Sequence, residues 1–296
     1  MTVLWSLFCE VIDLAKGKTI KLFLMDDEPS GRVKCSLTNW TGVAYKIPRT
    51  LLDKCKDMPL LKQSGVYFLF GTDNDNNQVV YVGQAGVRKN GEGLLLRIQE
   101  PHSSIDYWTE AVMFTTTNNS FGPTEISYLE NRFCNLAKEA GRYTVVNSVE
   151  PNPGNPTEET ESELEEFIDY AKICMGCMGQ KVLEPFVSPD LSDDKEPVLS
   201  MTYNGITAKG KRTSDGFAVL KGSSINLNKV TTCPEKVVYD RKAYEDSYDS
   251  NGVLMADLLF SSPSRAAAFV AGASVSGNSY WKDANGKTLS QIDSVQ

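Results

Sequence analysis

Two short apolar runs, Gly65-Val66-Tyr67-Phe68-Leu69-Phe70 and Val79-Val80-Tyr81-Val82-Gly83, flank a polar turn between Asp73 and Gln78. Aromatic and β-branched side chains suit a pleated surface, and an Asp/Asn-rich connection suits a tight reversal. The segment therefore reads as a β-hairpin, with a tyrosine and a glycine close together in each strand. A glycine-rich loop, Gly83 to Gly93, leads from it into Leu94 to Gln99, which has a helical start.

The rest of the chain is arranged around this hairpin. Glu110 to Thr115 reads as a strand. From Thr124 to Ala140 the residues Ile126, Leu129, Phe133, Leu136 and Ala140 recur at helical spacing, with Gly141 as the stop. Tyr143 to Val146 adds a last strand. The order β-β-α-β-α-β is an α+β layout: a small mixed sheet flanked by helices. Residues 1–62 read as a β-rich lead-in, with strand-like alternation from Thr19 to Asp26 and again from Arg32 to Ile47. Met1 to Ala15 is open between an extra strand and a short helix. Residues 151–196 form a linker and an acidic helix. Glu150 to Pro156 (EPNPGNP) excludes regular structure, and Thr157 is the expected N-cap. Residues 197–296 form a second α+β domain. Its turn signals are Asn204-Gly205, Asp215-Gly216 and Asn285-Gly286, and a helix starts at Ser262-Pro263.

Charge and cysteine usage narrow the class. A net charge of −8 argues against a protein that coats nucleic acid. The acidity is concentrated, with seven acids between Glu158 and Asp169, so a local phosphate-binding surface elsewhere is compatible with it. Seven irregularly spaced cysteines do not form a disulfide framework in 296 residues. Cys174 and Cys177 form a C-x-x-C without a second pair to complete a structural zinc site, and read as buried, reduced helix residues. The apolar N-terminus lacks a basic leader and is broken by Glu10 and Asp13. No run reaches the length of a membrane span, so a cytoplasmic protein is expected.

Five residues are candidates for chemistry. Tyr67 and Tyr81, on adjacent strands, can point into one cleft, and the neighbouring glycines would leave the backbone open to a ligand. Arg97, in the first turns of its helix, has a fork of donors suited to phosphate. Glu130 lies about 70° from the centre of its helix's apolar face, taking ~100° per residue, where a carboxylate can face a cleft and hold a hard divalent cation. Asn147 ends the last strand. Each also has an ordinary reading: half-buried strand tyrosines, a surface arginine, an exposed helical glutamate and a turn asparagine.

Taken together, Gly65-Val66-Tyr67, Tyr81-Val82-Gly83, Arg97, Glu130 and Asn147 resemble the motif set of the GIY-YIG nuclease family, in order and in spacing, from Gly65 to about Asn147. The resemblance implies a metal-dependent endonuclease acting on DNA. Glu130 would bind Mg²⁺ or Mn²⁺, and Tyr67 would help activate the attacking water. Tyr81 would position water or phosphate, Arg97 would offset charge growing on the phosphoryl oxygens, and Asn147 would shape the site. His102, the only histidine, follows Pro101 near where the family often has a His or Tyr assisting water activation. It is a lesser candidate, because the proline shifts the register.

Two departures stand out. Val66 and Val82 replace the family's usual isoleucines, and Gln84 stands where a basic residue is common, removing a phosphate contact. The four glycines Gly83, Gly86, Gly91 and Gly93 lack the pattern of a nucleotide-binding P-loop. The C-terminal section, with Asp215-Gly216-Phe217-Ala218-Val219-Leu220-Lys221-Gly222-Ser223, Phe260-Ser261-Ser262-Pro263-Ser264 and Trp281-Lys282, resembles an uncharacterised domain found behind GIY-YIG domains in bacterial and phage proteins. Lys209, Lys211, Arg212 and Lys221 are its candidate phosphate contacts, and Tyr280-Trp281 its candidate stacking pair. A solvated hairpin with a buried tryptophan is the alternative. The rival to the enzyme is a nucleic-acid-binding or protein-interaction module that keeps the fold without turnover.

Overall fold

The computed structural model describes residues 17–88, 93–102, 104–186, 196–228 and 234–294. Met1 to Ala15 and residues 89–92 of the glycine-rich loop lie outside the described residues. The strands and helices, in chain order, are β1 (Ile20–Leu24), β2 (Val33–Leu37), β3 (Gly42–Pro48), β4 (Gly65–Thr72), β5 (Gln78–Ala85), α1 (Leu94–Gln99), β6 (Trp108–Thr116), α2 (Pro123–Ala140), β7 (Thr144–Val145) and α3 (Glu158–Cys177). Two short 3-10 helices, Arg49–Cys55 and Pro59–Lys62, connect β3 to β4. The second unit contains β8 (Leu199–Tyr203), β9 (Ile206–Thr213), β10 (Gly216–Val219), α4 (Glu235–Ala243), β11 (Leu258–Phe260), α5 (Pro263–Ala271), α6 (Gly277–Tyr280) and α7 (Leu289–Asp293). The protein is of the α+β class.

The first seven strands form one sheet in the order β1-β2-β3-β6-β4-β5-β7. The lead-in strands are therefore continuous with the hairpin sheet, joined along β3 and β6 from Gly42↔Thr116 to Pro48↔Glu110. All pairs in this sheet are antiparallel except β5–β7. Central β4 is buried over seven of its eight residues, which explains its unbroken apolar run. Strand alternation sends Val66, Phe68 and Phe70 to one face, where α2 and α3 cover them with Leu129, Phe133, Phe167 and Ile168. Tyr67 and Leu69 go to the other face, against α1 and the 3-10 helices, with Leu61, Leu94 and Ile98. The glutamate-rich helix is thus part of the first layer rather than a free connector. Its N-cap is Thr157, whose side chain accepts from Thr160 N–H, and Trp40 packs on Phe167 at 4.9 Å between ring centroids.

In the second unit a four-stranded sheet, β11-β10-β9-β8, carries α5 on one face. The Asn204-Gly205 turn has positive φ at both residues (49° and 80°), the type I′ geometry that its sequence predicts. Asp215 joins the two units: its carboxylate accepts from Arg142 and Lys181, both at 2.7 Å. Among the described residues no helix is long and apolar enough to cross a membrane.

Candidate functional site

The register of one hairpin places the two tyrosines of the site. Tyr67 on β4 pairs directly with Gly83 on β5, and Leu69 pairs with Tyr81, so the two tyrosines are diagonal neighbours on the same face. Their ring centroids lie 6.2 Å apart. His102, just beyond α1, completes a triangle, its ring 5.7 Å from each phenol ring. Tyr67 and Tyr81 belong to one packed cluster with Leu94, Leu95 and Ile98 of α1. A cavity of about 430 Å³ opens beside His102, lined by residues including Arg49, Gln99, Glu100 and Trp108.

The glycines have a role different from the one expected. A Cβ at Gly83 would fall on the Tyr67 ring and hydroxyl, and one at Gly65 would meet Leu94 and the Phe114 carbonyl. The space beside these backbones is filled by the protein's own side chains, not held open for a ligand.

Burial sets the electrostatics. Tyr67 is fully buried, and among the described residues its hydroxyl has no hydrogen-bond partner. Loss of water raises its phenol well above the ordinary value, Tyr81 raises it further, and Arg97 pulls it back. Tyr81 is half-buried and also raised, by burial first and by the Glu130 charge next. His102 is only 8% exposed, and its Nε2 is likewise buried without a partner. Burial, with Arg97 as a second cause, holds the imidazole below its ordinary value, and the backbone carbonyls of Ile98 and Arg97 hydrogen-bond it. The ring is therefore neutral at pH 7.

Arg97 projects from α1 with its side chain 30% exposed, held by Glu100 at 3.2 Å, while Arg88 binds the other Glu100 oxygen at 2.6 Å. Half-buried Glu130 on α2 has its carboxyl raised by burial, opposed by hydrogen bonds from Gln84 and by the Arg97 charge. Arg97 and Glu130 thus act on both phenols with opposite sign. Asn147 does not reach toward the rings. Its side chain accepts from Val82 N–H at 3.0 Å and donates to the Val82 carbonyl at 2.7 Å. It continues the parallel ladder begun by β7 and holds the end of β5 where Tyr81 and Gly83 lie.

Among the described residues no group of three or more His, Cys, Asp or Glu side chains is placed to hold a metal. Mg²⁺ needs no such cage: it keeps several waters and is bound through one or two carboxylates together with substrate phosphates. One half-buried carboxylate beside an arginine fits that mode, and Glu130 is the residue that would hold the ion.

Sequence reasoning assigned Gln84 only a lost phosphate contact. In the structure its amide lies against Ser127 on α2, with the Ser127 hydroxyl 3.2 Å from Nε2 and 3.3 Å from Oε1. Spacing alone did not reveal this, because the contact joins residues 43 apart across a strand and a helix. The C-x-x-C pair is split: Cys174 is buried and Cys177 exposed, both free.

The C-terminal cations are less available than their sequence suggested. Arg212 is held by Glu196 at 2.6 Å and Asp293 at 2.5 Å, which removes it from the candidate phosphate contacts. Lys209 and Lys221 are exposed. Trp281 is fully buried, donates to the Pro263 carbonyl at 2.9 Å and packs on Phe217 at 4.8 Å, so it is a core residue and not a stacking platform.

Comparison with known proteins places this second unit alone. A family described as a domain of unknown function (DUF4357) matches residues 199–293. No curated protein and no solved structure matches the chain.

Proposed function

We propose that the protein is a cytoplasmic, metal-dependent endonuclease of the GIY-YIG type that hydrolyses DNA phosphodiester bonds, with the site formed by Tyr67, Tyr81, Arg97, His102 and Glu130. The observation that carries the reading is the convergence of these residues. They come from two strands, a helix, a following loop and a second helix, and the cluster contains two buried polar atoms, Tyr67 Oη and His102 Nε2, without partners. Buried polar groups are normally satisfied, and exceptions concentrate where a function requires them. Five free cysteines among the described residues agree with a reducing compartment. The match over residues 199–293 agrees with the second resemblance.

A divalent ion, when bound, polarises the scissile phosphate. Glu130 would hold it, and Gln84 and Arg97 would favour the ionised carboxylate that this requires, against burial, which raises it. Arg97 presents its outer donors to the phosphoryl oxygens as negative charge grows there. Tyr67 stays protonated because of its burial, so it does not begin as a phenolate. It would take up the proton of the attacking water as its own phenolic proton leaves, and neutral His102 belongs to the same cluster, its ring 5.7 Å from the Tyr67 ring. Asn147 supports β5 from outside the reacting centre.

A second reading, a binding module without turnover, is favoured by one observation: Tyr67 is sealed at 0% exposure, which removes it from direct contact with water in this state. A metal-titrated cleavage assay on duplex, branched and single-stranded DNA separates the two. The enzyme reading expects cleavage with Mg²⁺ or Mn²⁺, and a Tyr67→Phe rate lower by about 10²–10⁴, the span of general acid–base contributions. A Tyr67→Phe protein that cuts at the full rate removes the phenol from the chemistry.

A further inference from the structure

Charge is divided unevenly along the chain. Residues 197–296 carry 11 Lys and Arg against 9 Asp and Glu, whereas the whole chain carries 30 against 38. The second unit is therefore the basic part of an acidic protein. Its sheet has two unlike faces. Alternation along β8 and β9 sends Leu199, Met201 and Ala208 into the core with Phe217 and Trp281. The opposite face carries Ser200 and Thr202 on β8, and Thr207, Lys209 and Lys211 on β9. All of these are exposed except Lys211, which is partly buried. Cross-strand pairing sets Thr202 opposite Thr207 and Ser200 opposite Lys209. On its other side Ser200 pairs with exposed Lys282, through backbone bonds of 2.7 and 2.9 Å. Directly paired residues share a face, so Lys209, Ser200 and Lys282 form one row across three segments, and Lys211 lies about 7 Å farther along β9. Among the described residues none of the three lysines is in an ion pair, whereas Arg212, opposite Phe217 on the core side, is held by Glu196 and Asp293.

Resting on the nuclease reading above, we propose that this face of the second unit docks the phosphate backbone of duplex DNA, through Lys209, Lys211 and Lys282 with the three hydroxyls between them. Lysine, serine and threonine side chains are among the groups that bind phosphate oxygens along a backbone. An ordinary solvated surface intersperses both signs of charge. Here three cations share one face of a protein whose net charge is −8, and β8 and β9 place no carboxylate among them. The face also lacks an aromatic ring, since Tyr203 and Trp281 pack with the core, so nothing on it stacks on bases. It therefore fits a continuous paired backbone rather than splayed single-stranded bases, and it reads no sequence. Asp215, through Arg142 and Lys181, ties the sheet that carries this face to the first unit. The second unit thus holds the DNA on which the first unit's cluster acts.

The test uses the full chain and a DNA duplex of mixed sequence, with a chelator present so that binding is read without cleavage. Affinity is measured across a salt series. The triple variant Lys209→Gln, Lys211→Gln, Lys282→Gln is expected to bind more weakly whatever the sequence. It is also expected to flatten the slope of log affinity against log salt by about 2–3, near 0.9 for each lost phosphate contact. Lys236→Gln removes an exposed charge on α4, away from the face, and is expected to leave the slope unchanged. A triple variant with the wild-type slope overturns the proposal, as does a wild type that binds no duplex at low salt. A loss per charge as large in Lys236→Gln overturns it too, because net charge alone then governs binding. Poly-glutamate bound as tightly as DNA, with the same dependence on the three lysines, reassigns the face to acidic protein segments. Cleavage separates this proposal from the reading on which it rests. A chain that cuts DNA but keeps its slope in the triple variant retains the nuclease reading and rejects the face. A chain that cuts no DNA with any metal, yet loses slope in the triple variant, retains the face and rejects the nuclease reading.

Discussion

If the protein is the proposed nuclease, Arg97→Ala is expected to lower the cleavage rate by about 10²–10³ at saturating metal, the loss expected when one preorganised donor to a developing oxyanion is removed. The fold should survive the change, because the Arg97 side chain is 30% exposed and its ion pair with Glu100 is partly exposed as well. Its charge nevertheless acts on Tyr67, Tyr81, His102 and Glu130 alike, so no other single cation in the cluster can replace it. Arg97→Lys keeps the charge but not the planar fork, and should recover only part of the rate. The check is kcat at saturating Mg²⁺ together with a circular dichroism spectrum. A rate within threefold of wild type would assign Arg97 to the surface rather than to the site.

Phe133→Ala is expected to cost about 3–5 kcal/mol of stability, the usual effect of deleting a buried aromatic ring. Phe133 is fully buried on α2 and centred between Phe68 of β4 and Phe114 of β6, at 5.2 and 5.9 Å. It therefore fastens the helix that carries Glu130 to the two central strands of the sheet. It lies one helical turn beyond Glu130, so the loosened helix also disturbs the carboxylate. Chemical denaturation followed by fluorescence measures the first effect, and the metal dependence of cleavage the second. A stability loss below about 1 kcal/mol would mean that the cavity collapses fully, which a close-packed interior rarely allows.

The parts of this architecture that local chemistry dictates were legible in advance. The Thr157 cap, the Gly141 stop with φ 66° and the Asn204-Gly205 turn all follow from residues adjacent to the structure they determine. The tyrosine pair was legible too, since the hairpin register follows from its alternation. What could not be read depends on which element lies beside which. Residues 17–62 resemble a separate lead-in because nothing local reveals that β3 pairs with β6, more than sixty residues later. Arg212 resembles a free phosphate contact because Glu196 and Asp293 are distant in sequence. His102 gained weight for the same reason: only the folded chain brings its ring to 5.7 Å from both phenols. Gln84 is the sharpest case, since its partners lie on α2 and its identity alone suggests only a missing positive charge.

The proposed chemistry depends most on the half-buried Glu130 carboxylate. Glu130→Gln is nearly isosteric, so packing and DNA binding should remain, while the one charged oxygen donor to the cation is lost. The most direct measurement is the cleavage rate of wild type and Glu130→Gln on the same DNA, across a Mg²⁺ titration. The account predicts a metal-dependent rate for the wild type and none above background for the variant, with DNA affinity unchanged. Cleavage by Glu130→Gln at the wild-type rate and the same metal midpoint would contradict it.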